Sequence, residues 1–286
     1  TMSVSFWYLL AAALLSVGDA FTGSLGSTIA TGERHIPSLY MMEERPPAGD
    51  DFITRMFGRF LPKPEDVGLR RYDSVSMPEN YPCTKDEWAS LLPEDKKDPD
   101  MQLVRQVLAK TNMEYRPLKL AYSGNADGWK ASIFHQKLDA MGPAVVLART
   151  QAGGVVGGYN PTGWVNLGEY RGSIAAFLFS FPGGNVSERP LKLAKIAGAG
   201  MAQIDDGGGP RFGMEGLTIS LGRADPKLVR SKLGLYYETL PAGKGSRSLL
   251  PGGLAEDFLT DLKVFVGVYD EGERIPYSGA LFFQIN

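Results

Sequence analysis

The chain of 286 residues carries 30 Lys and Arg against 32 Asp and Glu, a net charge of −2 with no block of one sign. That balance argues against a nucleic-acid partner, which needs a basic face, while a 43% hydrophobic content suffices for an ordinary core. One cysteine, Cys83, excludes an internal disulfide and any disulfide partner within the chain, and two distant histidines, His35 and His135, leave no His/Cys metal cluster.

Residues 4–17, VSFWYLLAAALLSV, form one apolar run of signal-peptide length, shorter than the roughly 20 residues of a spanning helix. Ser16, Gly18 and Ala20 follow at its end, so cleavage is expected after Ala20. A membrane anchor or a buried helix is the alternative, and no Lys or Arg precedes the run. Phe21 stands directly after the inferred cut, and Thr22 to Arg34 is rich in Ser, Thr and Gly with one acid, Glu33. The Gly18-Asp19-Ala20-Phe21 junction and this hydroxyl-rich stretch resemble the two-part plastid presequence of algae with secondary, red-lineage plastids. The resemblance implies a signal peptide over 1–20, a transit-type segment over 21–40 and a folded protein starting near Met41; a secretory destination is the alternative.

Residues 41–117 read as a Pro-rich arm, broken by Pro46, Pro47, Pro62, Pro64 and Pro78. Within it Asp50 to Phe60 has Phe52, Ile53, Met56, Phe57 and Phe60 on one side of about three helical turns. Such a helix docks on a membrane surface or a partner, or packs back on its own domain. Thr84 as N-cap with Glu87 three residues on predicts a capping box and a short helix through Leu92. Cys83 beside it reads as a half-buried small residue, since no histidine lies near in sequence to activate it. A second helix over Asp100–Thr111 places Met101, Val104 and Leu108, with Leu103 and Val107, on a stripe expected to cover a sheet.

Residues 118–286 read as one domain, with its main body from Leu118 to about Asp270 and a C-terminal extension behind it. Short apolar runs separated by Gly and Pro predict antiparallel strands and tight turns. Gly128-Trp129 leads into a helix from Ala131 to Leu138; a strand Ala144–Arg149 turns at Ala152-Gly153-Gly154 into Val155–Tyr159; Gly163-Trp164, a strand ending Phe177–Phe181, Phe212-Gly213, a strand Leu217–Leu221 and a last strand Leu262–Tyr269 follow. Alternation is poor in Ala144–Leu147 and Phe177–Phe181, so those strands are expected to be covered on both faces.

The order of these pieces resembles the TLDc family, over Leu118 to about Asp270. Asp127, Gly128, Trp129, Phe134, Gly157, Gly158, Tyr159, Trp164, Phe177, Phe179, Phe212, Gly213 and Leu217 stand where the family pattern has its positions. The resemblance implies an α+β, β-rich fold, a two-sheet antiparallel β-sandwich flanked by short helices. The family's final strand commonly ends in an acid and a Trp; this chain has Gly267-Val268-Tyr269-Asp270, which puts in doubt any partner surface using that edge.

Catalytic signals are weak. The clusters Gly198–Gln203 and Gly207–Pro210 lack Gly-Lys-Ser/Thr, and the preceding Leu191–Ile196 reads as helical or irregular rather than as the strand a dinucleotide loop follows. Asp205-Asp206 offers oxygen ligands for Mg²⁺ or Ca²⁺, though adjacent acids in a Gly-rich loop more often make a solvated turn. No Gly-x-Ser-x-Gly elbow occurs, and His135 reads as a surface or supporting residue. Asn185-Val186-Ser187 is a glycosylation sequon in a secreted chain, a destination the plastid reading argues against. Basic residues interleave with Tyr236 and Tyr237, and the terminal run with Phe282 and Phe283 either closes the sandwich or pairs with another protein.

The expectation is therefore a non-catalytic TLDc-like interaction module without a cofactor. In the plastid it would be a peripheral accessory subunit of a large thylakoid complex such as a photosystem. Oxidative-stress protection or proton-pump regulation of the TLDc type, and a metal-dependent hydrolase using Asp205 and Asp206, are the rivals.

Overall fold

Thr150, Gly153 and Gly154 close the hairpin on which the sheet is built. In the computed structural model Thr150 N donates to Gly154 O (3.0 Å) and Gly153 N to Thr150 O (3.1 Å). Gly153 takes φ 91°, a region glycine enters without steric cost. The hairpin joins β2 (Ala144–Thr150) to β3 (Val155–Asn160). The structure describes Ser74 and residues 77–277 apart from Val186, Ala197, Arg223 and 242–246. The expectations for the signal-type run, the transit-type segment, Phe52, Phe57, Phe60, Phe282 and Phe283 fall outside those residues.

From β3 the ladder continues antiparallel to β5 (Phe177–Phe181) and β6 (Leu191–Ala194). On its other side β2 pairs with β11 (Glu256–Gly267), which begins well before the expected Leu262. The early part of β11 also pairs β10 (Leu228–Arg230), and its late part pairs β1 (Leu118–Ser123). Beyond β10 the order runs through β9 (Leu217–Ile219), β8 (Arg211–Phe212) and β7 (Gln203–Asp205) to β4 (Glu169–Arg171). Every named strand pairing is antiparallel.

The fold is a sandwich-like α+β arrangement in which β11 belongs to both layers. Val146, Ala148, Val156 and Leu178 from one layer meet Phe212, Leu217, Ile219 and Val229 from the other in a single buried cluster. The alternate residues Val145, Leu147, Val155, Phe177, Phe179 and Phe265 point the opposite way, into a second cluster with Leu103, Val104, Val107 and Leu108. Strands with apolar residues at every position are thus buried on both sides, by the facing layer and by a helix.

That helix is α1 (Pro99–Val107), capped by Asp98, whose side chain accepts from Asp100 N (2.8 Å) and Met101 N (3.4 Å). It ends earlier than the predicted Thr111, in a turn where Lys110 takes φ 56°. Two further helices, α2 (Gly124–Asp127) and α3 (Ala131–Leu138), follow β1. None of the described helices is long and apolar enough to cross a membrane.

Two local expectations fail. No helix forms over Thr84–Leu92. There Glu87 O accepts from Lys192 Nζ (2.9 Å), the Glu87 carboxylate pairs with Lys110 (2.7 Å), and Ala89 N donates to Gln106 O (3.2 Å). A cap contributes about 1 kcal/mol, and these long-range bonds to α1 and β6 hold the segment irregular instead. Leu191–Ala194 is a strand rather than helical or irregular, because it completes the edge of the Phe177–Phe181 ladder.

Candidate functional site

The acidic pair is held apart by its own loop. Asp205, on β7, is fully buried, and its carboxylate accepts from Val165 N (2.9 Å) and Asn166 N (3.0 Å), with Arg171 Nη1 at 3.7 Å. It anchors the chain after Trp164 to the sheet and is no solvated turn. Asp206 accepts from Gly208 N (3.0 Å) and from Arg211. The carboxylates therefore serve backbone amides and arginines, and no group of three or more His, Cys, Asp or Glu among the described residues is placed to hold a metal ion.

His135 is buried, not at the surface. Its Nδ1 lies 2.8 Å from Asp139 Oδ1 and its Nε2 2.9 Å from Gly208 O, so the ring ties α3 to the Gly-rich loop. After Gly198–Gln203 the next element is β7, not the helix that a dinucleotide loop would open. A cavity of about 170 Å³ beside the loop is lined by Gly207 to Gly209, Arg211 and Ser220.

The pattern residues are spent on packing and turns. Asp127 accepts from Ser123 N (2.9 Å) and Lys137 Nζ (2.7 Å), and the Lys137 ammonium, with that backbone bond, holds its carboxyl below the usual range. Gly128 takes φ 102° and its carbonyl accepts from Tyr122 OH (2.8 Å). Trp129 Nε1 donates to Asn125 Oδ1 (3.3 Å), and Lys227 lies over its ring. Phe134 packs edge-on against Tyr122 and Trp164. A Cβ on Gly157 would collide with Val146 O and the Phe179 ring, and one on Gly158 with the Phe212 ring. Tyr159 OH donates to Asn112 Oδ1 (2.6 Å), and burial pushes that phenol well above its ordinary pKa. Phe177 lies against Tyr159, Gly213 turns at φ 62° against Tyr236, and Leu217 is buried between the layers.

A second polar arrangement, absent from the sequence reading, fastens residues 77–117 to the sheet. Arg105, fully buried in α1, donates through Nε to Asp95 Oδ2 (2.7 Å) and through its Nη atoms to the carbonyls of Met113, Glu114 and Arg116. Lys192, pointing from β6, reaches Glu87 O and Val107 O (3.4 Å). Burial lowers the Lys192 pKa, with the nearby Cys83 opposing. Burial pushes the Cys83 thiol up to about 11, which leaves little thiolate at neutral pH.

Two clefts meet at Trp88 along this junction. One, of about 1060 Å³, is bordered by Trp88, Lys110, Tyr115, Arg116 and Tyr277. The other, of about 860 Å³, is bordered by Trp88, Lys85, Arg189 and Glu238. Arg189 stacks on the Trp88 ring (4.9 Å), Lys85 pairs with Glu238 and Lys110 with Glu87. On the opposite layer, Tyr170 of edge strand β4 and Leu167 just before it are 56% and 66% exposed.

Comparison with known families matches residues 97–227 to the TLDc domain. The match takes in α1, upstream of Leu118, and stops at the residue before β10. No curated protein matches the chain.

Proposed function

We propose that this chain, matched by the TLDc domain over residues 97–227, works as a non-catalytic protein-interaction module. Its place would be the plastid, as an accessory subunit docked on a large thylakoid complex such as a photosystem. The observation that carries the non-catalytic part is the fate of the pattern residues: they receive rings, close turns or bind backbone, and none of them lines a cleft beside a nucleophile and a base. Exposed Tyr115, Leu167 and Tyr170 and the Trp88 junction give surfaces for contact. The compartment rests on the Ala20-Phe21 junction and the hydroxyl-rich stretch behind it.

A fusion of residues 1–40 to a fluorescent protein, expressed in a red-lineage alga, tests the compartment; cytosolic fluorescence would sink it. Co-migration of the full chain with chlorophyll on a native gel of solubilised thylakoids tests the docking, and a freely soluble stromal protein would count against it.

The domain match itself favours a second reading, protection against oxidative damage or control of a rotary proton pump. Peroxide sensitivity on deletion, with photosynthetic complexes intact, would select it over the first.

A further inference from the structure

The β5–β6 connection carries Asn185-Val186-Ser187. We propose that Asn185 is an N-glycosylation site, taking an oligosaccharide from a lipid-linked pyrophosphate donor while the chain passes through the secretory lumen. This rests on the signal-type reading of residues 4–17 and is independent of the photosystem. A signal-type run delivers the chain to that lumen before any transit segment acts, so a plastid destination does not remove the encounter.

The local geometry fits an acceptor. Asn185 and Ser187 are both exposed on a hairpin loop, away from both buried clusters. Ser187 Oγ donates to Asn185 Oδ1 (2.7 Å), which binds the amide through its oxygen and leaves the Nδ2 hydrogens to the reaction. The flanking residues are hydrogen-bonded: Gly183 N donates to the Glu188 carboxylate (2.7 Å), Glu188 N to Asn185 O (3.3 Å) and Gly184 N to Phe181 O (2.9 Å). The chain's other Asn-x-Ser/Thr sequence supplies the contrast. Asn160-Pro161-Thr162 has Pro in the middle, Asn160 is fully buried, and its Nδ2 donates to Gly163 O (2.9 Å).

In the transfer, Nδ2 bonds to the anomeric carbon of the sugar. The bond from that carbon to the pyrophosphate oxygen breaks, its electron pair leaves on the lipid pyrophosphate, and the amide proton passes to a carboxylate of the transferase. Oxidation states do not change. A glycan there would also keep this hairpin tip out of any protein interface.

Cell-free translation of the full chain with endoplasmic-reticulum microsomes tests the proposal. The expected result is one upward mobility step, protected from external protease, removed by endoglycosidase, lost in Asn185→Gln and in Ser187→Ala, and kept in Ser187→Thr. A protease-protected chain without the step overturns the glycosylation alone. A chain left accessible to protease overturns the signal reading and the glycosylation together. A step that persists in Asn185→Gln places the sugar elsewhere and also overturns it.

Discussion

The Phe212 ring occupies the space a side chain on Gly158 would need, its Cζ 2.6 Å from where a Cβ would stand. Gly158 belongs to one layer and Phe212 to the other, so this contact sets how closely the layers approach. Gly158→Ala is expected to cost about 1–3 kcal/mol by overpacking. Adding Phe212→Leu should recover part of it, a non-additivity measurable by urea denaturation of the single and double variants. Additive losses would show that the ring does not set the spacing.

Arg105→Met is expected to be far more harmful than a surface change. It strands the Asp95 carboxylate, which is buried with no exposure of its side chain, and unties three carbonyls of the 113–116 loop. Breaking one side of a buried pair costs about 3–5 kcal/mol. The double variant Asp95→Asn/Arg105→Met should be less destabilised than Arg105→Met alone. Hydrogen exchange should quicken across residues 109–116 before the β2–β3 ladder responds.

Asp100 links α1 to the sheet through Arg149 and Lys263. Burial alone would raise its pKa, but the bonds from Lys263 and Arg149 outweigh it and the net direction is down from 3.8. Its contribution is therefore complete above the unfolded value and lost as pH falls through the lower, folded one. Lys263 shifts up from 10.5, chiefly through its bond to Asp100 against the opposing effect of burial. Its share is complete below that value and lost as pH rises through the folded one. Asp100→Asn should flatten the stability profile at both the acid and the alkaline end; a profile unchanged at either end would contradict the linkage.

Cys83 should react slowly with iodoacetamide while the chain is folded. A thiol near 11 is thiolate in about one molecule in a thousand at pH 8, against about a quarter for a free cysteine. Alkylation in urea should then be faster by roughly two orders of magnitude. Equal rates in the two conditions would mean that the thiol is not buried.

The strands and their hairpin were legible because punctuation and apolar runs are local: Gly153-Gly154 and Phe177–Phe181 state their structure within a few residues. The stripe of α1 was legible for the same reason. What escaped depends on residues distant in sequence. Thr84 and Glu87 spell a cap, yet Lys192 and Lys110 bind Glu87 elsewhere. Asp205 looks like a loop acid until Val165 and Asn166 bring their amides to it. Arg105 gave no hint of burial beyond its place beside an apolar stripe, since its partners lie 8 to 11 residues away along the chain. Which of the two expected roles His135 plays, surface or supporting, was not legible because Gly208, its carbonyl partner, is 73 residues further on.

The sharing of β11 between layers bears on how the polypeptide is made. A ribosome releases β1 first, yet among the described strands β1 pairs with β11 alone, and β2 reaches β10 only through β11. Until β11 emerges, the nascent chain holds two partial ladders with open edges and Leu262, Val264 and Phe265 not yet delivered to the interior. Closure of the sandwich thus waits for β11, which leaves an interval when holding chaperones can bind and when passage through a membrane pore needs no unfolding.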